Sequence, residues 1–355
     1  MNFAEYVNEY RHKINNAIDS IYKEKLLSIK NPFLKDYYSE LKEYFLTGGK
    51  RIRPLLCIAA YNAFMDKRDE KIIFPSIGIE FLHNASLIHD DIIDKDDFRR
   101  GKPAFHYRFR NYHNKYKLKR MIASDFGNSI GIIGGDSAFF LGLNAYFDND
   151  FNDILNLKAI KYYEQAFIEV ANGVLIETDM VNRTNLTLSD YIEMISLKTG
   201  ALIEKSVLIG GNYAQTNEKF NKDLSIYSIN LGRVFQIIDD ILGTFGDEKV
   251  TGKPTDGDIR ENKLTALKLT ALDNLKDEEK NRLMKLLENG NMSNKNVQEI
   301  KDLFLEADAV SSCKELASFY LQKALSSLDN LKSFINPSEA EFFESLLKFV
   351  MERKF

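Results

Sequence analysis

Leu87-Ile88-His89-Asp90-Asp91-Ile92-Ile93-Asp94 is an apolar run that ends in three carboxylates. On a helix, side chains four apart stack on one face, so Asp90 and Asp94 come together. Like charges so placed repel, and a bound cation or a basic partner would relieve them. A small set of oxygen donors suits magnesium, which keeps several waters and favours substrate phosphates. An ordinary acidic face at a helix end is the plain alternative. Phe235-Gln236-Ile237-Ile238-Asp239-Asp240 repeats the design. Two copies imply magnesium ions clamped between two helices, with a polyphosphate as the bridging ligand.

Cations elsewhere in the chain could take the phosphate. Gly48-Gly49-Lys50-Arg51-Ile52-Arg53-Pro54 sets three of them in a glycine turn just before a proline-started helix. Flexible backbone, a helix N-terminus and guanidinium forks together make an anion site. Arg99-Arg100-Gly101-Lys102 follows Asp94 closely enough to reach a diphosphate held there. Lys198-Thr199-Gly200, Lys253 and Lys263 are further candidates. Each alone reads equally as surface charge; the alternation of acids and bases around apolar helices does not. Residues 107–120 carry six cations and no acid, and read as a solvated loop or as a mobile basic flap near an anionic substrate.

The elements that must position these groups are helical. Tyr6, Tyr10, Ile14, Ala17 and Ile21 form a stripe of helical period, and Leu41, Tyr44 and Phe45 form another. Only 6 prolines interrupt the chain. Strand signals are weak, since no hairpin turn of the Asn-Gly type sits between alternating segments, and Asn289-Gly290 reads as a helix stop. Further breaks are expected at Thr47-Gly48-Gly49, Gly101-Lys102-Pro103, Gly210-Gly211-Asn212 and Gly252-Lys253-Pro254. None is long enough for an interdomain linker. The expectation is an all-α chain, one domain over residues 1–355 with ten or more helices.

Composition excludes several classes. The 355 residues hold 48 Lys+Arg against 52 Asp+Glu, a net charge of −4, so no general basic field awaits a nucleic acid. Cys57 and Cys313 lie far apart with no CxxC, which argues against a disulfide framework or zinc cage and for a reducing cytoplasm. The first twenty residues mix charges into their turns and lack an apolar signal core. Phe126 to Phe147 has Asp136 as its single charge and is glycine-rich; it reads as a buried core helix and not a transmembrane segment.

Taken in order, these motifs resemble the trans-isoprenyl diphosphate synthases, helical enzymes that elongate prenyl chains. The resemblance runs through GGKRIRP at 48–54, EFLHNASLIHDDIIDKDDFRRGKPAFH at 80–106 and GGDSAFF at 134–140. It continues with YIEMISLKTGALIEKSV at 191–207, FQIIDDILGTFGDEKVTGKPTDGDIRENKLTAL at 235–267 and the terminal FVMERKF. It implies an antiparallel bundle around a deep central cavity, in a homodimer. The implied reaction is head-to-tail condensation of an allylic diphosphate (dimethylallyl, geranyl or farnesyl) with isopentenyl diphosphate. Asp90 and Asp94 would bind two magnesium ions and Asp239 a third, with Asp91 and Asp240 behind them or on water. Arg99, Lys198, Lys253 and Lys263 would hold the allylic diphosphate. Lys50, Arg53, His83 and Arg100 would hold isopentenyl diphosphate. Thr199 and Gln236 would line the allylic carbon; Phe235 is assigned to packing and His89 to a structural role.

Departures from the family pattern stand beside the match. Gly243 replaces a third acid of the second motif, and Gly173-Val174 replaces a Gly-Gln pair, with Glu177 and Asp179 following. In the family, aromatics four or five residues before the first Asp stop growth at fifteen carbons. Here those positions are Ser86 and Ala85, both small. On a helix Ala85 lies about 7.5 Å and Leu82 about 12 Å below Asp90, with Ile79 deeper. Leu82, helped by Phe139 or Phe140, would form the floor, which points to geranylgeranyl diphosphate, with a farnesyl product or twenty-five or more carbons as rivals. A class I terpene cyclase would carry an Asn/Ser/Glu metal motif where Asp239-Asp240 stands. A non-catalytic prenyl synthase partner would lose one of the motifs.

Overall fold

Helices begin where short polar side chains can take up the unpaired N–H groups of a first turn. Asn2 and Glu5 form a reciprocal capping box, as do Thr187 and Asp190. Asn31 caps a helix with Pro32 in its first turn, and Asn217, Thr265 and Ser293 cap three more. The computed structural model describes residues 1–183, 185–246, 255–288 and 292–353. In chain order the helices are α1 (Phe3–Leu27), α2 (Pro32–Leu46), α3 (Ile52–Asn62), α4 (Ile73–Ile93), α5 (Phe105–Lys115), α6 (Ala123–Gly142) and α7 (Asn144–Phe147). There follow α8 (Asp153–Met180), α9 (Leu188–Ile195), α10 (Ala201–Tyr213) and α11 (Glu218–Phe245). The last are α12 (Gly257–Arg260), α13 (Ala266–Asn274), α14 (Asp277–Leu287), α15 (Asn294–Glu306), α16 (Ala309–Leu331) and α17 (Pro337–Met351). The chain is all-α apart from one two-residue hairpin among the described residues, Phe98–Arg99 paired with Lys102–Pro103.

These elements form two compact units, Met1–Gln165 with Lys205–Thr216, and Ala166–Glu204 with Asn217–Phe355. In the first unit α1 buries Tyr6, Tyr10, Ile14, Ile18 and Ile21; Ile18 takes the place in the stripe expected for Ala17, which is half-buried. Tyr22 and Phe45 pack on Phe81 of α4 with ring centroids 5.6 and 4.8 Å away. Helix α6 lies against α4 and α5 through its glycines: a Cβ on Gly135 would sit 2.2 Å from the His89 ring, and one on Gly134 2.4 Å from Phe105. This stretch, Ala123–Phe147, is long and apolar enough to cross a membrane by length and composition. It is not the wholly buried helix expected, because Ile132, Ile133 and Phe140 are exposed.

Gly210-Gly211 does not break α10, contrary to the sequence reading. A Cβ on Gly210 would meet the Cys57 carbonyl at 2.2 Å, so the glycine serves close packing inside the first unit. Both cysteines are buried free thiols. In the second unit α11 packs along α16 and α17, and the Tyr227 hydroxyl donates to the Phe343 carbonyl at 2.8 Å.

The glycine turn after α2 is fixed by the residue at its centre. Gly48 and Gly49 take φ of 66° and 89°, and Arg51 takes φ 57°. A left-handed non-glycine residue costs about 1 kcal/mol or more. The Arg51 side chain offsets that cost inside the unit. It is 2 % exposed and donates to Glu80 Oε1 (2.8 Å), Asn15 Oδ1 (2.9 Å) and the Phe45 carbonyl (2.6 Å). Arg51 therefore ties α1, α2, α3 and α4 together. Replacing Arg51 by Ala leaves Glu80 buried without its counter-charge and should lower unfolding free energy by about 3–5 kcal/mol. Urea denaturation reads this directly; a loss below about 1 kcal/mol, the scale of an exposed pair, would show that the turn is held otherwise.

Candidate active site

Helix α4 carries the first acidic motif to its end. Asp94 is still helical, and its N–H donates to the Asp90 carbonyl at 2.8 Å, which places the two residues one turn apart on one face. Both carboxylates are partly exposed, whereas Asp91 is fully buried. Successive helix residues differ by about 100°, and that rotation divides the two roles. Asp91 accepts from Arg99 Nε and from the Tyr44 hydroxyl (3.2 Å), and burial together with the Asp91 charge raises the Tyr44 pKa.

The Phe98–Pro103 hairpin delivers the arginine pair. Arg100 and Gly101 take φ of 54° and 70°, the left-handed pair that a tight two-residue hairpin turn requires. Arg99 is thereby turned to Asp91, with Asp90 Oδ2 3.9 Å from its Nη2. Arg100 points the other way and donates to the Thr47 carbonyl at 3.0 Å, against the glycine turn.

A cationic nest results. His83 lies two turns before Asp90 on α4, and its pKa is held well below 6.5, first by burial and then by Arg53, Arg100, Arg99 and Arg51. Burial pushes the Arg53 guanidinium down to about 10, and its Nε is buried without a hydrogen-bond partner among the described residues. A half-buried guanidinium whose buried Nε has no partner among the described residues, close to an imidazole, is a ready donor set for an anion. Lys50 is exposed in the same turn.

In the second unit a turn of π-helix, Ser196–Gly200, joins α9 to α10 and holds Lys198 and Thr199. Glycines admit it: a Cβ on Gly173 would meet the Lys198 nitrogen at 2.4 Å, and one on Gly232 the Gly200 Cα at 2.5 Å. Lys198 Nζ pairs with Glu177 at 2.6 Å, so the acid that follows Gly173-Val174 has a partner in the site. The Thr199 hydroxyl donates to Gln236 Oε1 (2.8 Å), and Gln236 Nε2 donates to Asp240 Oδ1 (2.9 Å). Asp240 is buried, and also accepts from the Tyr191 hydroxyl (2.6 Å) and from the N–H of Ala266 (3.2 Å) at the start of α13. Burial, and then the charge of Asp258, raise its pKa to about 7.

Asp239 is 48 % exposed and pairs with Arg353 at 3.0 Å, whose guanidinium also lies over the Phe235 ring. Gly243, where a third acid was missing, has Asp258 Oδ2 3.0 Å from the position a Cβ would take. Sequence reasoning missed Asp258, Tyr191, Tyr44 and Arg353 as members of these clusters. Asp258, Tyr191 and Arg353 each lie inside a matched stretch (235–267, 191–207 and the terminal FVMERKF), which was the signal that could have found them. Lys263 pairs with Glu261 at 3.0 Å, and Lys253 lies outside the described residues.

Below Asp90, Ala85 and Leu82 are fully buried and Ser86 is half-buried, its hydroxyl bonded to the His83 carbonyl. Phe139 packs on His89 at 5.5 Å, while Phe140 is 74 % exposed and therefore faces away from any floor. His89 bonds the Ile132 carbonyl at 3.0 Å. Of the basic stretch, residues 107–115 belong to α5, with Arg108 on Glu40 and Arg110 on Asp97, both at 3.0 Å.

The donor set fits magnesium. Asp90 and Asp94 offer only oxygen and are too few to complete a shell, which a hard cation would fill from diphosphate and water. Among the described residues no three His, Cys, Asp or Glu side chains converge to cage a metal unaided.

Two helices that carry adjacent carboxylates, α4 at its end and α11 within its last turns, with guanidinium groups beside the first, define a helical diphosphate-handling protein. Residues 35–304 match the polyprenyl synthetase family, and the chain belongs to it. It is 32 % identical over 335 residues to the geranylgeranyl diphosphate synthase of Sulfolobus acidocaldarius, covering 93 % of each chain. It is 35 % identical over 264 residues to the short chain isoprenyl diphosphate synthase of Methanocaldococcus jannaschii, covering 74 % of each. Its structure resembles that of geranylgeranyl pyrophosphate synthase from Corynebacterium glutamicum, complexed with isoprenyl diphosphate and magnesium, with a TM-score of 0.91, 25 % identity and full coverage of both chains.

The depressed His83 pKa sets a pH dependence. The unfolded imidazole takes a proton near pH 6.5 and the folded one resists it, so unfolding free energy should fall as pH drops below about 6.5. The slope from this group reaches at most about 1.4 kcal/mol per pH unit. His83→Gln should flatten the curve in urea titrations from pH 7.5 to 5; an unchanged slope would place the titration elsewhere.

Proposed function

We propose that this protein is a prenyltransferase that joins an allylic diphosphate to isopentenyl diphosphate head to tail and makes geranylgeranyl diphosphate, a step of isoprenoid biosynthesis. The observation that carries the reading is the hairpin that sets Arg99 beside Asp91 and Asp90 and Arg100 on the Thr47 carbonyl, next to the helix that presents Asp90 and Asp94 one turn apart. Cations so gathered favour a highly charged anion, and oxygen donors beside them favour a diphosphate that shares a hard cation.

Lys50, Arg53, His83 and Arg100 hold isopentenyl diphosphate in this reading. Arg99, Lys198, Lys253 and Lys263 hold the allylic diphosphate. Magnesium, three ions with substrate bound, would neutralise charge on the departing diphosphate and be held by Asp90, Asp94 and Asp239. Breaking the allylic carbon–oxygen bond leaves a cation that water would trap, so the reacting carbon needs a dry pocket lined by fixed dipoles. The Thr199 hydroxyl and the Gln236 amide, fixed on each other and on Asp240, supply them. The double bond of isopentenyl diphosphate attacks the cation. Loss of a proton to the released diphosphate restores a double bond, so no side-chain base is assigned.

Residues 1–355 act as one catalytic domain in this reading, since each compact unit is drawn from two separate stretches of chain. The exposed apolar residues of α6, Ile132, Ile133 and Phe140, with Ile154 and Leu157 of α8, favour a homodimer that covers them. The working compartment is the cytoplasm, where Cys57 and Cys313 stay reduced.

The product follows from the small side chains at 85 and 86 and agrees with the twenty-carbon products named for relatives. Incubation with magnesium, dimethylallyl diphosphate and excess isopentenyl diphosphate should give mainly a twenty-carbon product by chromatography. A dominant fifteen-carbon product would sink the assignment, and twenty-five or more carbons would move the floor below Leu82. Ala85→Phe should shorten the main product by one five-carbon unit; unchanged length would show that Ala85 does not face the growing tail.

A further inference from the structure

The nine residues from Asn114, in the last turn of α5, to Ile122, just before α6, are all exposed. Among them Lys115, Lys117, Lys119 and Arg120 are cations and none is an acid. Interleaved with them are large apolar side chains, Tyr116 at 51 %, Leu118 at 39 %, Met121 at 49 % and Ile122 at 65 % exposure. The loop is ordered at its base: the buried His113 ring bonds the Met121 carbonyl at 2.7 Å, and the Leu118 N–H donates to the His113 carbonyl at 3.2 Å. Arg108 and Arg110 of α5 are spent on Glu40 and Asp97, whereas Lys117, Lys119 and Arg120 meet no carboxylate among the described residues. Exposing four apolar side chains costs free energy in water, and gathering four cations between them repels. Both costs are offset on one kind of surface, where anionic groups lie directly above hydrocarbon.

We propose that the 114–122 loop docks the protein on an anionic lipid bilayer, with Lys115, Lys117, Lys119 and Arg120 at the headgroups and Leu118, Met121 and Ile122 among the first acyl carbons. A nucleic acid would reward the cations but not the aliphatic side chains, and the chain's net charge of −4 opposes it. The docking stands on the loop's own residues. An enzyme that releases a twenty-carbon lipid would gain from it an apolar phase for its product.

Flotation of the full chain with vesicles tests the proposal. The protein should float with vesicles of phosphatidylglycerol and phosphatidylcholine, stay behind with phosphatidylcholine alone, and be released at roughly 1 M salt. At about fivefold per cation, Lys117→Ala with Lys119→Ala and Arg120→Ala should weaken partitioning on the order of a hundredfold. Leu118→Ser with Ile122→Ser should weaken it at least about tenfold and keep the salt dependence. Circular dichroism melting and prenyl transfer in vesicle-free buffer should match the parent for both variants, so that failure of docking is told apart from failure of the proposed reaction. Binding that survives the cation removals, no flotation at low salt, or salt-sensitive capture of polyuridylate in place of vesicles would each overturn the proposal.

Discussion

Charges of one sign must be held close together before the ligand that neutralises them arrives. The protein meets this constraint by dividing each doubled charge into a residue that anchors and a residue that presents. Asp91 is buried on Arg99 and Tyr44, which leaves Asp90 and Asp94 on the other face. Asp240 is buried on Tyr191, Gln236 and the start of α13, and Asp239 stays exposed. Arg51 is locked on Glu80, while Arg53 keeps a buried Nε unsatisfied. In the helical motifs the division needs no special device, because a turn of about 100° between neighbours carries one side chain inward and the next outward.

The anchors also carry the site's precision. Gln236 accepts from Thr199 and donates to Asp240, so its amide cannot rotate without breaking one of two bonds. Burial and the charge of Asp258 raise the Asp240 pKa, yet three donors still converge on its carboxyl. On the first unit His83 is kept neutral by burial and four arginines, which suits it to donate one proton and accept another without adding charge to the nest. A diphosphate entering there would be met by positions already fixed, and little ordering would remain to be done on binding.

Periodicity made much of this legible. The Asp90–Asp94 stack, the helical class and the apolar stripe of α1 follow from spacing alone, and spacing survives folding when a helix is continuous. Long-range partners were not legible. Nothing near Arg51 in sequence distinguishes it from Arg53, because its anchor Glu80 lies 29 residues away. The hairpin at 98–103 escaped notice because Arg100 takes a conformation usually left to asparagine or glycine. Gly210-Gly211 was misread as a break because the same residue type that ends helices also lets them touch, and only the Cys57 carbonyl decides between the two. Phe140 was misassigned for a like reason: one residue of rotation on α6 separates it from Phe139 and turns it outward.

The division of labour within the first motif is open to one direct comparison. Asp90→Asn and Asp91→Asn make the same change at adjacent positions, one carboxylate oxygen replaced by an NH2 group. The magnesium dependence of isopentenyl-dependent diphosphate release, read beside the urea midpoint, separates presenting from anchoring. Asp90→Asn should raise the magnesium requirement at least about tenfold with stability unchanged. Asp91→Asn should lower stability by about 2 kcal/mol or more, because the largely covered Arg99 guanidinium then faces a neutral partner. The reverse pattern, a magnesium defect from Asp91→Asn with full stability, would contradict that division.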